Sequence, residues 1–244
     1  MNLIVDIGNS RAKISVMSEG EVVMQHTEES ISDATIRDFI TRYPTLSAAI
    51  VASTRGDGDA VAAQLRNHIG KVLHFSPATT PLPLGNHYHT PQTLGADRLA
   101  AAVGVSAMYP GRDIMVVDFG TAITIDYIVD NVFLGGNISP GVTTRFRALA
   151  DYTAKLPLCS PTEEVLEYGR TTVEAIEQGV MRGVEQEIRG YVEAFLLKNS
   201  ENCIIFTGGD AKYFVKRIKN AIFADCEPVI FGLNRILEYN AEKF

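Results

Sequence analysis

Short apolar runs and alternations over residues 2–7, 12–18 and 22–26 predict three strands, the last two joined by the tight turn Glu19-Gly20. Ser32 is placed to cap a helix over residues 33–43 that Pro44 ends, and residues 48–52 read as a buried strand. A second helix over residues 57–68 stops at Gly70, and a short strand follows at residues 72–75. Pro77, Pro81, Pro83, Gly85 and Pro91 interrupt regular structure across residues 76–93, so a long loop is expected there. An alanine-rich helix over residues 96–108 then runs to Tyr109-Pro110-Gly111, a natural lobe boundary.

The pattern starts again at Ile114. Strands are predicted at residues 114–117, 122–129, 132–134 and 137–139, with a helix over residues 143–151. Glu163-Glu164 favours a helix amino terminus near Thr162, and helix is expected from there to about Lys198. A short strand at residues 204–206, a helix over 211–218 and a last helix over 233–239 complete the reading. The chain divides into an α/β lobe over residues 1–111 and a second over 112–244.

Both lobes carry the same chemistry at the end of their first strand. Asp6-Ile7-Gly8-Asn9-Ser10 closes the first run, and Asp118-Phe119-Gly120-Thr121 closes its counterpart, the two aspartates lying 112 positions apart. A strand-terminal carboxylate can hold a cation, and a glycine two residues later lets backbone N–H groups approach phosphate oxygens. Either motif alone is also an ordinary turn; their recurrence points to a phosphate held between two related lobes. Lys13 returns along the next strand within reach of such a phosphate, an exposed edge lysine being the competing reading.

Gly95-Ala96-Asp97-Arg98 follows the proline-rich loop and opens a helix. Asp97 can accept a hydroxyl proton there and Arg98 can clamp a carboxylate, although a helix cap and a surface ion pair use the same residues. Tyr88 offers a hydroxyl and a ring face to a polar ligand, while His87 and His89 lack a third ligand and read as loop residues. Gly208-Gly209 joins a strand to a helix where a nucleotide can lie, without matching either the Walker or the dinucleotide glycine fingerprint.

Composition narrows the partners. With 46% apolar residues in 244, the chain can bury two cores, and a net charge of -7 disfavours a non-specific nucleic-acid surface. Cys159, Cys203 and Cys226 are odd in number and far apart, which fits structural thiols in a reducing compartment. No leader pattern and no 18-residue apolar span occurs, so a cytoplasmic protein with no membrane partner is expected.

Taken in order, Asp6 to Lys13, Gly95 to Arg98, Asp118 to Ala122, Gly135 to Gly141, Thr172 and Thr207 to Ala211 resemble the type III pantothenate kinases. The resemblance covers most of the chain. It implies two duplicated actin-like lobes of the acetate and sugar kinase/Hsc70/actin fold, with ribonuclease H-like mixed sheets. The implied reaction is ATP-dependent phosphorylation of pantothenate to 4'-phosphopantothenate, the first step of coenzyme A biosynthesis. By the same likeness, Asp97 is the base, and Tyr88, Gly95, Ala96, Asp97, Arg98 and Thr172 meet pantothenate. Asp6, Gly8, Asn9, Ser10, Lys13, Thr121, Gly208 and Gly209 serve ATP. Asp6 lies near Mg2+, and Asp118 takes a monovalent cation, K+ or NH4+. Thr172 reaches pantothenate across a homodimer interface, so that dimerisation helices in the second lobe make each active site shared. Ser10 stands where the family usually has threonine, and Ala101 where asparagine is common. Another small-molecule kinase on the same fold and a nucleotide-binding regulatory protein are the rival functions.

Overall fold

A computed structural model describes residues 1–224 and 227–241, so Cys226 lies outside the described residues. In chain order the elements are β1 (Asn2–Ile7), β2 (Ala12–Ser18), β3 (Glu21–Glu28), α1 (Asp33–Arg42), β4 (Ala48–Ser53), α2 (Gly58–Arg66), β5 (Lys71–His74), β6 (Gly85–Asn86) and α3 (Ala96–Met108). They continue as β7 (Ile114–Phe119), β8 (Ala122–Val129), β9 (Val132–Pro140), α4 (Val142–Asp151), α5 (Thr172–Leu196), β10 (Cys203–Thr207), β11 (Ala221–Phe223) and α6 (Pro228–Tyr239). Single 3-10 turns occur at Pro91–Thr93 and Ala211–Tyr213.

The chain forms two compact units. The first holds Met1–Gly111, Asn131–Leu134 and the described residues of Cys226–Phe244; its sheet runs β3-β2-β1-β4-β5. Here β2 is antiparallel to β1 and β3, while β4 is parallel to β1 and β5. The second unit repeats that order as β9-β8-β7-β10-β11, with β7 antiparallel to β8 and β10 parallel to both β7 and β11. Two mixed sheets of one topology are what two recurrent strand-Asp-x-Gly-strand patterns predict. The opening residues of β9 group with the first unit, where Val132 and Phe133 pair with Gly85 and Asn86 of β6.

In the first unit Leu3, Val5, Ile14 and Val16 pack with Ile36 and Phe39 of α1 and Leu65 of α2. Ile4 and Ile50 are also fully buried, which accounts for the unbroken apolar run of β1, and α6 packs along β1, β4 and α3. The sequence reading gave the end of the chain to the second lobe. The structure instead places α6 in the first unit, because Gly104 and Gly232 let α3 and α6 approach backbone to backbone.

The second core joins Phe119, Ile123 and Ile125 to Phe146 of α4, Met181 and Ile188 of α5, and Phe206 and Phe214. Phe214 stacks on Phe119 with ring centroids 5.0 Å apart. Each such buried side chain contributes about 1.5–3 kcal/mol of transfer free energy. Ile176, Val180 and Val184 of α5 belong to this core, so their helical spacing reflects packing within the chain and carries no argument for a dimer face.

The expected helix from Thr162 begins ten residues later, at Thr172. Thr171 and Glu174 form a capping box there, whereas the Thr162 hydroxyl only accepts from Glu164 N in a local turn at 3.1 Å. The intervening segment is held by side chains of α5: Leu166 N donates to buried Gln178 at 3.0 Å, and Gln178 Nε2 donates to Glu164 O at 3.0 Å. The helix expected over residues 211–218 is confined to the turn Ala211–Tyr213, and strands predicted at 132–134 and 137–139 are one strand, β9. Among the described residues no helix is long and apolar enough to cross a membrane.

Candidate active site

In the first unit, the β1–β2 hairpin presents Asp6 opposite Lys13, and Gly8 N donates to Arg11 O at 3.0 Å to close the turn. Asn9 and Ser10 are exposed at its tip, and Asp6 is half-buried. Strand β2 lies inside the sheet, between β1 and β3, which removes the edge-lysine explanation for Lys13. Its ammonium meets Glu227 Oε1 at 2.9 Å, and Gln25 Nε2 donates to the same oxygen at 3.0 Å. Glu227 was not anticipated; it immediately precedes Pro228 at the first turn of α6, a start signal that was legible.

Asp97 sits in the first turn of α3, where Gly95 is the cap residue and supplies no side chain. Its Oδ1 accepts from Arg98 N at 2.8 Å, and the exposed donors of a helix amino terminus stabilise the carboxylate. Arg98 is buried, with its guanidinium carbon 5.7 Å from the Tyr88 ring centroid and 6.0 Å from that of Phe133. The surface ion pair is therefore excluded. Two aromatic faces hold a desolvated cation one residue after a carboxylate, and Phe133 is a participant that sequence reasoning missed. His87 and His89 are exposed, and no group of three or more metal-ligating side chains is assembled among the described residues.

In the second unit, half-buried Asp118 pairs in register with Thr124 of β8 and Thr207 of β10. Gly208 has φ +91°, and a Cβ there would come within 2.3 Å of Asp118 Oδ1 and 2.6 Å of Phe119 N. Both the left-handed backbone and the close approach require glycine. Thr121 is exposed, and its carbonyl accepts from Gly141 N at 3.0 Å and from the Thr144 hydroxyl at 2.7 Å. Gly209 is exposed beyond the turn, and Thr172 is exposed at the start of α5. The structure thus gathers Asp6, Gly8, Asn9, Ser10 and Lys13 in one hairpin, and Asp118 with Gly208 at one strand end.

Asp210 follows this turn. Burial pushes its carboxyl above the usual range, with Lys212 opposing the shift. A raised folded-state value means that Asp210 adds stability below the ordinary carboxylate range, and that this is lost as pH rises through the folded value. Asp210→Asn is expected to raise the urea midpoint at pH ~7, with the gain vanishing below about pH 4. A pH-independent difference between the two proteins would contradict this.

The sequence profile described as type III pantothenate kinase matches residues 2–194. A type III pantothenate kinase of Phocaeicola vulgatus is 44% identical over 242 residues, covering 98% of this chain and 99% of its own. The enzyme of that description from Cytophaga hutchinsonii is 38% identical over 241 residues, covering 98% and 100%. Among solved structures, a protein described as a Baf family transcriptional activator from Campylobacter jejuni superposes with a TM-score of 0.63 at 24% identity, covering 98% of this chain and 99% of its own. An ADPNP-bound activator of 2-hydroxyisocaproyl-CoA dehydratase from Clostridium difficile gives 0.55 at 14% identity, covering 99% and 96%. These likenesses show the fold, duplicated actin-like lobes of the kind shared by sugar kinases and ATPases. With a family profile over most of its length and relatives above 30% identity from end to end, this chain belongs to the type III pantothenate kinase family.

Proposed function

We infer that this chain transfers the terminal phosphoryl group of ATP to pantothenate, yielding 4'-phosphopantothenate and ADP at the entry to coenzyme A biosynthesis, in the cytoplasm. The observation that carries this reading is end-to-end likeness to relatives that bear the name, 44% over 98% of the chain for one of them. The first unit supplies a chemical rationale. Asp97 accepts the proton of the primary hydroxyl while that oxygen attacks the γ-phosphorus; the bond to the β,γ-bridging oxygen breaks and ADP departs. Arg98 and Tyr88, with Gly95 and Ala96, orient the acceptor, the buried guanidinium facing an anion as it faces the two rings. Gly8, Asn9, Ser10 and Lys13 hold phosphate oxygens, and Lys13 must exchange or share its contact with Glu227 to do so. Thr121, Gly208 and Gly209 are assigned to the nucleotide.

Asp6 suits Mg2+, which characteristically binds through one or two carboxylates plus substrate phosphates and needs no preassembled cluster. When bound, it neutralises charge on the phosphates. Asp118 suits K+ or NH4+, because a strand-terminal carboxylate packed against the backbone of Gly208, near Phe119 O, brings oxygen ligands of the kind such cations take. Thr172, exposed at the head of α5, is assigned to the partner's pantothenate in a homodimer. A fully active protein that stays monomeric at assay concentration rules that out. The experiment for the reading as a whole is ADP release from purified protein with ATP and pantothenate, in potassium and in sodium at constant ionic strength. Pantothenate-dependent turnover stimulated severalfold by potassium is expected, with stimulation lost in Asp118→Asn. Turnover with a sugar and none with pantothenate rejects the acceptor; equal rates in both salts reject the cation site.

A further inference from the structure

The first unit contains a cavity of about 440 Å³ lined mostly by residues outside the family motifs. Its volume lies within the range of small-molecule sites, roughly 300–1,000 Å³. One wall is Gly95-Ala96 at the start of α3; the opposite walls are the end of β4 at Ser53-Thr54, the first turn of α2 and His74 at the end of β5.

Two contacts tie this space to the proposed chemistry. Gly95 lies against the proposed base, since a Cβ built on it would come within 2.5 Å of Asp97 Oδ1. Thr54 donates its backbone N–H to Ile7 O at 2.9 Å and its hydroxyl to the same oxygen at 3.2 Å, one residue before Gly8 of the hairpin turn. An alcohol seated with its hydroxyl at Asp97 therefore has this cavity open to the remainder of its chain.

His74 is built into the wall as an oriented group. Its Nδ1 lies 2.7 Å from Asp59 Oδ1 on α2, and its side chain retains 30% exposure. The Asp59 carboxylate fixes the proton on Nδ1, which leaves Nε2 as an acceptor. Among the described residues Nε2 has no hydrogen-bond partner. Gly58 makes room for it: a Cβ at that position would stand 2.5 Å from Nε2. The Thr54 and Thr93 hydroxyls, on residues lining the same space, donate to Ile7 O and to Thr90 O, which leaves their oxygens able to act only as acceptors toward a ligand. Together with Nε2 these acceptors suit a ligand that brings donors.

We propose that His74, held by Asp59, is a specificity-determining residue that accepts a hydrogen bond from an O–H or N–H group of the acceptor substrate, away from the hydroxyl that is phosphorylated. This rests on the pantothenate reading, in which the donor is the secondary hydroxyl or the amide N–H. The test compares pantothenate with two analogues, one lacking the secondary hydroxyl and one methylated on the amide nitrogen, against wild type, His74→Phe and Asp59→Ala. In wild type one analogue is expected to show a KM about tenfold higher than pantothenate, the cost of a lost hydrogen bond. In His74→Phe the KM for pantothenate rises by about the same factor, kcat and the KM for ATP stay within about twofold, and the penalty for that analogue disappears. Which analogue responds identifies the donor.

Asp59 is 89% exposed, so Asp59→Ala keeps the core intact and gives the same pattern, reduced, if His74→Phe fails to fold. An unchanged analogue penalty in the variants, or no penalty for either analogue in an active wild type, overturns the role of His74 alone. A wild type with no pantothenate turnover removes the underlying activity and this role with it.

Discussion

Replacing Asp97 by asparagine is expected to lower single-turnover phosphoryl transfer by roughly 10²- to 10⁴-fold while the KM for ATP stays within about twofold. The substitution keeps the shape of the side chain, and its oxygen can still accept from Arg98 N as Asp97 Oδ1 does at 2.8 Å. What it removes is the ability to take a proton from the acceptor hydroxyl as the oxygen attacks. Loss of one negative charge at the amino terminus of α3 costs at most about 1 kcal/mol of stability, so the variant should fold. The nucleotide contacts assigned to Gly8, Ser10 and Lys13 lie on a different element, which is why ATP affinity and phosphoryl transfer should separate. Near-normal single-turnover transfer by the folded variant would remove Asp97 from the role of base. A parallel loss of ATP affinity would point instead to a collapsed helix start.

Those residues were legible because their chemistry is local. The boundaries of β1, β2 and α3 follow from apolar patterning together with Gly95 and Pro110, and the turns after Asp6 and Asp118 are written in consecutive residues. What sequence reasoning missed depends on contacts between distant positions. Phe133 and Glu227 acquire meaning only when pairing with β6 brings Phe133 under Arg98 and when α6 brings Glu227 to Lys13. The delayed start of α5 has the same origin, since buried Gln178 satisfies backbone groups of the preceding segment that a helix would otherwise have satisfied itself. The last helix, expected over residues 233–239, starts instead at Pro228, and Gly232 is a contact point inside it.

Gly232→Ala is accordingly expected to destabilise the protein by about 3 kcal/mol or more, the upper range for overpacking a tight interface. A Cβ at residue 232 would lie 1.8 Å from Ala100 O and 2.9 Å from Gly104 N, and one at Gly104 would lie 2.1 Å from Pro228 O. These neighbours are backbone atoms of two helices, so no side chain can swing aside. Relief requires α6 to move away from α3, with which it packs; Leu99 and Val103 of α3 and Ile230 and Leu233 of α6 are all buried. For a chain of this size the thermal midpoint should fall by roughly 6–12 °C. Gly190→Ala in α5 is the matched control: nothing lies within 4 Å of its added Cβ, and removing a mid-helix glycine should stabilise by about 0.5–1 kcal/mol. The same displacement carries Glu227 away from Lys13, because Glu227 is the cap residue of α6 and moves with it. Gly232→Ala should therefore also change the KM for ATP at temperatures where the variant remains folded, while Gly190→Ala leaves it unchanged. Equal thermal midpoints for Gly232→Ala and the parent would show that the two helices are not in backbone contact.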